Sequence, residues 1–84
     1  MAGTESAIRK MLTDIAGIAP DVPSTGNLYL DLGVASVHAM QLLCSLEDQF
    51  GVSIPDEDFV EATSIAKITE MIQGLLKNAG SAGE

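Results

Sequence analysis

Cysteine and histidine are almost absent from this 84-residue chain, which contains one of each, Cys44 and His38. A single cysteine forms no internal disulfide, and one Cys with one His is too small a ligand set for a structural zinc site. The same shortage leaves no nucleophile with a base and an orienting group, so we expect no enzyme, no catalytic residues and no metal site. The length fits one domain, residues 1–84, stabilised by helix packing alone.

Positive charge is missing from most of the chain. The sequence has four Lys and Arg against twelve Asp and Glu, a net charge of −8, and the stretch from Met11 to Ala66 has no Lys or Arg. Such a surface repels nucleic acid and anionic lipid, and it attracts basic protein surfaces most strongly at low salt. We therefore expect protein partners with basic docking surfaces and no nucleic acid partner.

Long apolar runs are missing as well. No stretch has the length of a transmembrane helix, and no basic segment followed by an apolar one marks a signal peptide at the N-terminus. We therefore expect a cytoplasmic protein that does not insert into membranes. We also expect a monomer.

Apolar residues at helical spacing predict two amphipathic helices in the first part of the chain. The first runs from Thr4, its predicted N-cap, to about Ala16. The second runs from Ser36 to about Phe50, and Gly51 fits its C-terminal end. The predicted core positions are Ile8, Met11, Leu12 and Ile15 in the first helix, and Ala39, Leu42, Leu43, Leu46 and Phe50 in the second.

Two further helices are predicted after a proline at position 55. A short one begins with the acids 56–58, because acidic side chains favour the positive end of a helix dipole. The last helix ends at about Leu76, and 78–84 form a small polar tail that we expect to be disordered. The residues expected to anchor the short helix are Phe59 and Val60, and those expected to cap the last helix are Thr63 or Ser64.

A long connection, residues 18–35, separates the first two helices and contains two prolines and two glycines. An alternating apolar pattern there also fits a short strand, but no second strand signal is present to pair with it. We predict a loop that is held by its own apolar side chains, Leu28, Leu30, Leu32 and Val34. Three longer helices and a short third one make an all-α, four-helix bundle.

The segment Asp-Leu-Gly-Val-Ala-Ser ends this loop and brings Ser36 to the start of the second helix. A phosphate on this serine would lie near free backbone N–H groups and the positive end of the helix dipole, which favour an anion. Ser36 is therefore a candidate modification site. Serine is also among the best N-cap residues, so a purely structural cap is the alternative interpretation of the local motif.

Four features together resemble the acyl carrier protein family over nearly the whole chain. They are the Asp-Leu-Gly turn ending in Ser36, the Leu46–Gly51 end of the second helix, the Val-Ser-Ile-Pro-Asp-Glu-Asp link at 52–58, and Thr-Ser-Ile at 63–65. The resemblance implies a four-helix bundle with 4′-phosphopantetheine attached covalently to Ser36, carrying an acyl or aminoacyl group as a thioester. It implies as partners a phosphopantetheinyl transferase, a loading ligase, and acyltransferase or synthase enzymes.

Two departures from the family pattern change what this resemblance implies. Where members usually have Asp-Ser-Leu, this chain has Ala35-Ser36-Val37, which favours either a dedicated transferase or weaker modification over ordinary recognition by a generic transferase. His38 and Gln41 stand where fatty-acid carriers tend to be acidic, which favours a specialised pathway over housekeeping fatty-acid synthesis. The predicted partner-binding face consists of Val37, His38, Met40, Gln41, Cys44, Glu47, Asp48, Asp56 and Glu57.

Several alternatives stay open from the sequence. Ala35 leaves room for an unmodified interaction module that docks partners through its acidic face. His38 is either an exposed histidine without a role or a specificity residue, and Cys44 is either a packing residue or an exposed thiol that forms dimers on oxidation. The helical position of Cys44, away from the apolar stripe, predicts partial exposure.

Overall fold

Four helices form the fold in the computed structural model, which describes the backbone of residues 2–82 and the side chains of residues 3–77. The helices are α1 (Ala2–Ala16), α2 (Ser36–Phe50), α3 (Asp56–Glu61) and α4 (Ile65–Ala82). Over the described residues there is no strand, which confirms the predicted all-α bundle. No helix in this part of the chain is long and apolar enough to cross a membrane.

Helix α1 buries the predicted apolar stripe but begins earlier than expected. Ile8 and Leu12 are fully buried and Met11 nearly so, while Ile15 packs half-buried against the core. Thr4 lies inside the helix, so its prediction as N-cap is wrong: a cap needs non-helical backbone, and the helix already runs through Ala2.

Helix α2 has the predicted bounds at both ends. Its C-terminal end is Gly51, whose φ of 65° is left-handed and whose N–H donates to the Glu47 carbonyl at 2.9 Å. The inward face is Ala39, Leu42 and Leu46. Helix α1 packs against both α2 and α4. The side chains fully buried at the centre are Ile8, Leu12, Leu28, Leu42, Leu46, Ile65, Ile68 and Ile72.

The long loop folds back on itself around Asn27. The side-chain Oδ1 of Asn27 accepts hydrogen bonds from the backbone N–H groups of Tyr29 and Leu30, two and three residues further along the chain, each at 2.9 Å. The Asn27 carbonyl in turn accepts from the Asp31 N–H at 2.9 Å, which closes one helix-like turn. Leu28, by contrast, is fully buried and its N–H donates to the Thr63 carbonyl at 2.8 Å, which ties the loop to the start of α4.

One of the four predicted loop anchors is wrong. Val34 is buried with Leu28, and Leu32 packs half-buried against the core, but Leu30 is 85% exposed. The prediction assumed the two-residue period of an extended chain. In a helical turn, residues four apart share one face and a residue between them points the other way, so Leu28 and Leu32 face inward and Leu30 does not.

Arg9 also holds this loop, by contacts that the sequence did not indicate. Its guanidinium Nη1 donates to the carbonyls of Pro20 at 3.0 Å and Val22 at 2.6 Å, and its Nε pairs with the Glu5 carboxylate at 2.9 Å. Arg9 therefore joins α1 to the first third of the loop.

The last two helices confirm one predicted anchor and one predicted cap. Phe59 is buried, but Val60 is 69% exposed, because so short a helix turns only part of its surface to the core. Ser64 is the cap of α4: its Oγ accepts the Lys67 N–H at 3.2 Å.

Helix α4 continues to Ala82, so its predicted end at Leu76 comes too early. No proline interrupts residues 77–82, and nothing else in that stretch requires the helix to stop. The helical backbone of residues 78–82 does not agree with the predicted disordered tail. Their side chains, and the whole of residues 83 and 84, lie outside the described residues, so disorder stays a prediction for 83 and 84 alone.

Candidate functional site

Ser36 is the first residue of α2 and does not cap it. The N-cap is Ala35, whose backbone is extended (φ −85°, ψ 159°) and whose side chain has no acceptor, so no side-chain hydrogen bond closes this helix end. Ser36 is exposed. The alternative that this serine is only a structural cap is therefore wrong.

The N-terminal end of α2 offers free donors. Its first intrahelical hydrogen bond joins the Ala39 N–H to the Ala35 carbonyl at 3.0 Å, so the N–H groups of residues 36–38 have no partner within the helix. The first turn contains no acidic residue. Because these N–H groups and the helix dipole both favour negative charge, an anion attached to Ser36 would be stabilised there.

The turn that precedes Ser36 is fixed by its backbone conformation and by contacts with the core. Gly33 has a φ of 74°, a left-handed conformation that disfavours any residue with a Cβ. The next residue, Val34, is buried and its N–H donates to the Leu28 carbonyl at 2.8 Å. Asp31 contributes a carboxylate oxygen that accepts the Asn27 N–H at 2.9 Å. The turn before Ser36 is thus anchored two residues from the serine.

Ser36 stands at the edge of a mostly apolar cleft of about 560 Å³ between α2, α3 and the long loop. Its lining residues are Tyr29, Ser36, Ala39, Met40, Leu43, Asp56, Phe59, Val60 and Thr63. Burial raises the pKa of the Tyr29 phenol above its usual value near 10, a value at which the side chain is already neutral at physiological pH. The cleft can therefore accept an apolar group attached near Ser36.

The sequence indicated only part of this cleft. Met40 was expected on the partner-binding face, and it lies both on that face and in the cleft. Tyr29 and Thr63 come from segments distant in sequence, which the bond between the Leu28 N–H and the Thr63 carbonyl brings together. No local pattern could have placed them beside Ser36.

Seven of the nine residues predicted on the partner-binding face are exposed. They are Val37, Met40, Gln41, Cys44, Asp48, Asp56 and Glu57. The exposure of Cys44 agrees with the position expected from the helical spacing.

The other two residues of that face are half-buried, which corrects their expected orientation. The Glu47 carboxylate accepts the backbone N–H of Ile54 at 2.9 Å, so it serves the link between α2 and α3. His38 buries its Nδ1, which has no hydrogen-bond partner among the described residues, so His38 is not the exposed histidine that one alternative assumed.

Charge is distributed unevenly around the site. The two ion pairs found among the described residues are both on α1, Arg9 with Glu5 at 2.9 Å and Lys10 with Asp14 at 3.8 Å. The acids of α3 are exposed. Three of them occupy its first turn, where the helix dipole favours them. The surface beside the cleft is therefore strongly negative.

Comparison with known proteins decides the family. Residues 6–72 match the family described as "Phosphopantetheine attachment site". An acyl carrier protein of Campylobacter hominis is 32% identical over 72 residues, which cover 84% of this chain and 91% of that protein. The chain belongs to the acyl carrier protein family. It is accordingly a carrier and not an enzyme, as the sequence predicted, and its cofactor is covalent phosphopantetheine.

The fold comparison agrees with this assignment. A solved structure described as an acyl carrier protein from Mycobacterium tuberculosis superposes with a TM-score of 0.78. The match covers 84% of this chain and 96% of that one at 24% sequence identity, so it establishes the four-helix carrier fold. Carrier proteins of this family interact in general with transferases and synthase enzymes.

The residues around Ser36 fit the phosphopantetheine group. The serine hydroxyl is exposed, the N–H groups of residues 36–38 are free to face a phosphodiester, and no acid of the first helical turn would repel it. Ser36 also lines the apolar cleft.

Proposed function

We propose that Ser36 bears the 4′-phosphopantetheine arm and that this carrier moves acyl or aminoacyl thioesters between the enzymes of a dedicated, specialised pathway. The observation that carries the proposal is the exposed serine at the first position of α2, whose hydroxyl is not used as a helix cap. When bound, the arm supplies a terminal thiol that holds the cargo as a thioester.

The chain's own residues have three tasks in this function. Ser36 supplies the hydroxyl oxygen for attachment, and the free N–H groups of residues 36–38 stabilise the phosphodiester. The apolar cleft lined by Met40 and Phe59 shelters an apolar cargo from water. Delivery of the cargo depends on the tether, since an arm of fixed length presents the cargo to each docked enzyme at high effective concentration.

The departures around Ser36 support a dedicated pathway. Ala35 removes the negative charge that would stand before the serine, and the first turn of α2 has no acid. Val37, Met40 and Gln41 leave the exposed side of that turn neutral. A transferase or loading ligase that recognises mainly acidic residues there would make few contacts. Enzymes specific for this carrier would instead recognise the shape and the apolar side chains of α2.

The proposal includes a cytoplasmic monomer. The exposed thiol of Cys44 stays reduced in that compartment, where disulfide-linked dimers are rare. The negative surface, with no Lys or Arg between Met11 and Ala66, also opposes self-association at low salt.

Intact mass spectrometry tests the attachment site. The protein would be co-expressed with a broad-specificity phosphopantetheinyl transferase and, separately, with any transferase encoded near its own gene. We expect a gain of one phosphopantetheine group that is lost in Ser36→Ala and kept in Ser53→Ala, a matched change at another exposed serine. No gain under either condition would instead support the alternative, an unmodified module that docks through its acidic face.

A further inference from the structure

We propose that the hydroxyl groups of Tyr29 and Thr63 select the cargo of this carrier, and that they favour an acyl chain with a neutral oxygen function, a keto or hydroxyl group, over a plain alkyl chain. This inference rests on the proposed function, because it names the class of cargo that an arm on Ser36 would place in the cleft.

Hydroxyl groups interrupt a cleft wall that is otherwise mostly apolar. The apolar lining residues are Ala39, Met40, Leu43, Phe59 and Val60. The remaining ones are Asp56 and three residues with a hydroxyl group, Tyr29, Ser36 and Thr63. The oxygen of Ser36 is used for attachment in the proposed function. The hydroxyls that stay available to a cargo are therefore those of Tyr29 and Thr63.

The backbone holds these two residues in one part of the cleft. The N–H of Leu28 donates to the Thr63 carbonyl at 2.8 Å, which brings the residue after Leu28 next to the start of α4. That residue is Tyr29, whose own N–H donates to the Oδ1 of Asn27 at 2.9 Å. Both side chains are half-buried. The two hydroxyls thus come from fixed backbone, which a site that selects among cargoes requires.

Neither hydroxyl is paired within the described part of the chain. No side-chain hydrogen bond found there involves the Oη of Tyr29 or the Oγ1 of Thr63. Burial raises the pKa of Tyr29, so the phenol keeps its proton and can donate it in a hydrogen bond. Both residues therefore have a donor to offer to a group that enters the cleft.

The chemistry of the cargo decides whether these donors are satisfied. A chain that fills the cleft displaces the water around them. A plain alkyl chain then leaves the hydroxyls without a partner, which is unfavourable, whereas a keto or hydroxyl oxygen on the chain accepts their hydrogen bonds. A site with polar groups to satisfy discriminates strongly against a ligand that lacks the matching atom.

Charged cargo fits this cleft less well. Asp56 is the one charged residue among the described residues that line it, and its carboxylate repels a second carboxylate. A free ammonium group, as on an aminoacyl cargo, would lose water to the apolar walls. Pairing with Asp56 returns little of that cost, because Asp56 is exposed. The favoured oxygen function is therefore neutral.

The test compares three cargoes of equal chain length, octanoyl, β-ketooctanoyl and δ-ketooctanoyl. A transferase that modifies the wild type would load each from its coenzyme A thioester, and the Tm of each form would be compared with that of the protein bearing the arm alone. We expect at least one keto cargo to raise the Tm by about 5 °C more than octanoyl does, the shift that one added hydrogen bond gives in a domain of this size.

Three variants assign this difference to the hydroxyl groups. Tyr29→Phe and Thr63→Val each remove one hydroxyl at nearly constant volume. Tyr29→Phe should abolish most of the advantage of the keto cargo, and Thr63→Val should reduce it. Thr25→Val is the matched control, because it makes the same change at an exposed threonine outside the cleft, and it should leave the advantage unchanged.

A second measurement uses the wild type alone. In the form loaded with the favoured keto cargo, the protons beside the ketone should show nuclear Overhauser contacts with the ring of Tyr29, the only tyrosine of the chain. Equal Tm gains for all three cargoes, a keto advantage that both hydroxyl variants keep, or the absence of these contacts would overturn the selection while leaving Ser36 as the attachment residue. A wild-type protein that no transferase modifies would instead overturn the proposed function.

Discussion

The carboxylate of Glu47 on α2 accepts the backbone N–H of Ile54, in the link to α3, at 2.9 Å. Ile54 is buried, and the proline and helix α3 follow directly. This bond therefore holds the start of α3 against α2, and with it the position of Phe59 in the wall of the cleft. An acid that the sequence suggested as a docking charge thus also holds the link that shapes the cleft.

Replacing Glu47 should show this structural role. Glu47→Ala leaves the backbone N–H of the buried residue Ile54 without an acceptor, so we expect a loss of about 1–2 kcal/mol in the free energy of unfolding. Glu47→Gln keeps an acceptor oxygen and should lose less than half of that. Urea denaturation of the apo protein measures both. Equal losses in the two variants would mean that the charge of Glu47, and not the hydrogen bond, stabilises the fold.

Arg9 should matter more to stability than its neighbour Lys10. Arg9→Met removes two hydrogen bonds to the loop carbonyls of Pro20 and Val22, and we expect a loss of about 2 kcal/mol. Lys10→Met removes only an exposed pair with Asp14 at 3.8 Å, which should change stability by less than about 0.5 kcal/mol.

Hydrogen exchange locates the effect of these two changes. Arg9→Met should speed amide exchange in the loop near Val22 more than in α2, because the lost bonds hold that part of the loop. Similar losses of stability for both variants would contradict the assigned role of Arg9.

The features predicted best from the sequence are helix ends, which depend on residues close together in the chain. The bounds of α2 follow from an apolar stripe with a three-to-four residue period and from a glycine at position 51, and both signals lie within the helix or next to it. The cap of α4 at Ser64 follows from a local hydrogen bond to the Lys67 N–H. Such features need no information from distant residues.

The sequence predicted less well what depends on contacts between segments. Leu30 and Val60 were expected in the core, yet the turn around Asn27 and the packing of α3 turn both outward. The side chain of Arg9 reaches carbonyls of the loop, which carry no sequence signal because every residue has one. The cleft beside Ser36 likewise depends on Tyr29 and Thr63, which only the folded chain brings together.

Gly33 should be hard to replace although space is available around it. A Cβ there would meet no atom within 4 Å, so the cost of Gly33→Ala comes from its φ of 74° alone. We expect a loss of about 1 kcal/mol and a Tm lower by about 5 °C.

Gly26→Ala is the matched control for that change. Gly26 has no positive φ, and a Cβ there would make an ordinary contact at 3.5 Å with the Pro23 carbonyl oxygen. Its Tm should stay unchanged or rise slightly, because alanine restricts the unfolded chain. Two equal decreases in Tm, measured by circular dichroism, would show that the loop tolerates no added side chain and that the conformation of Gly33 is not the cause.

Tyr29 should make the fold sensitive to alkaline pH. Burial disfavours the phenolate, so the pKa of Tyr29 is raised in the folded state above its ordinary value near 10. Below that value the phenol is protonated in both states and stability is unaffected. As the pH rises past 10, the unfolded chain loses this proton first, so the free energy of unfolding falls until the folded-state pKa is passed.

Tyr29 is the only tyrosine of the chain, so phenolate absorbance reports its titration directly in the native protein. The titration midpoint should lie above that of the urea-unfolded protein, and Tyr29→Phe should lose less stability than the wild type over the same pH range. Identical midpoints in the folded and unfolded states would show that the cleft leaves the phenol fully hydrated.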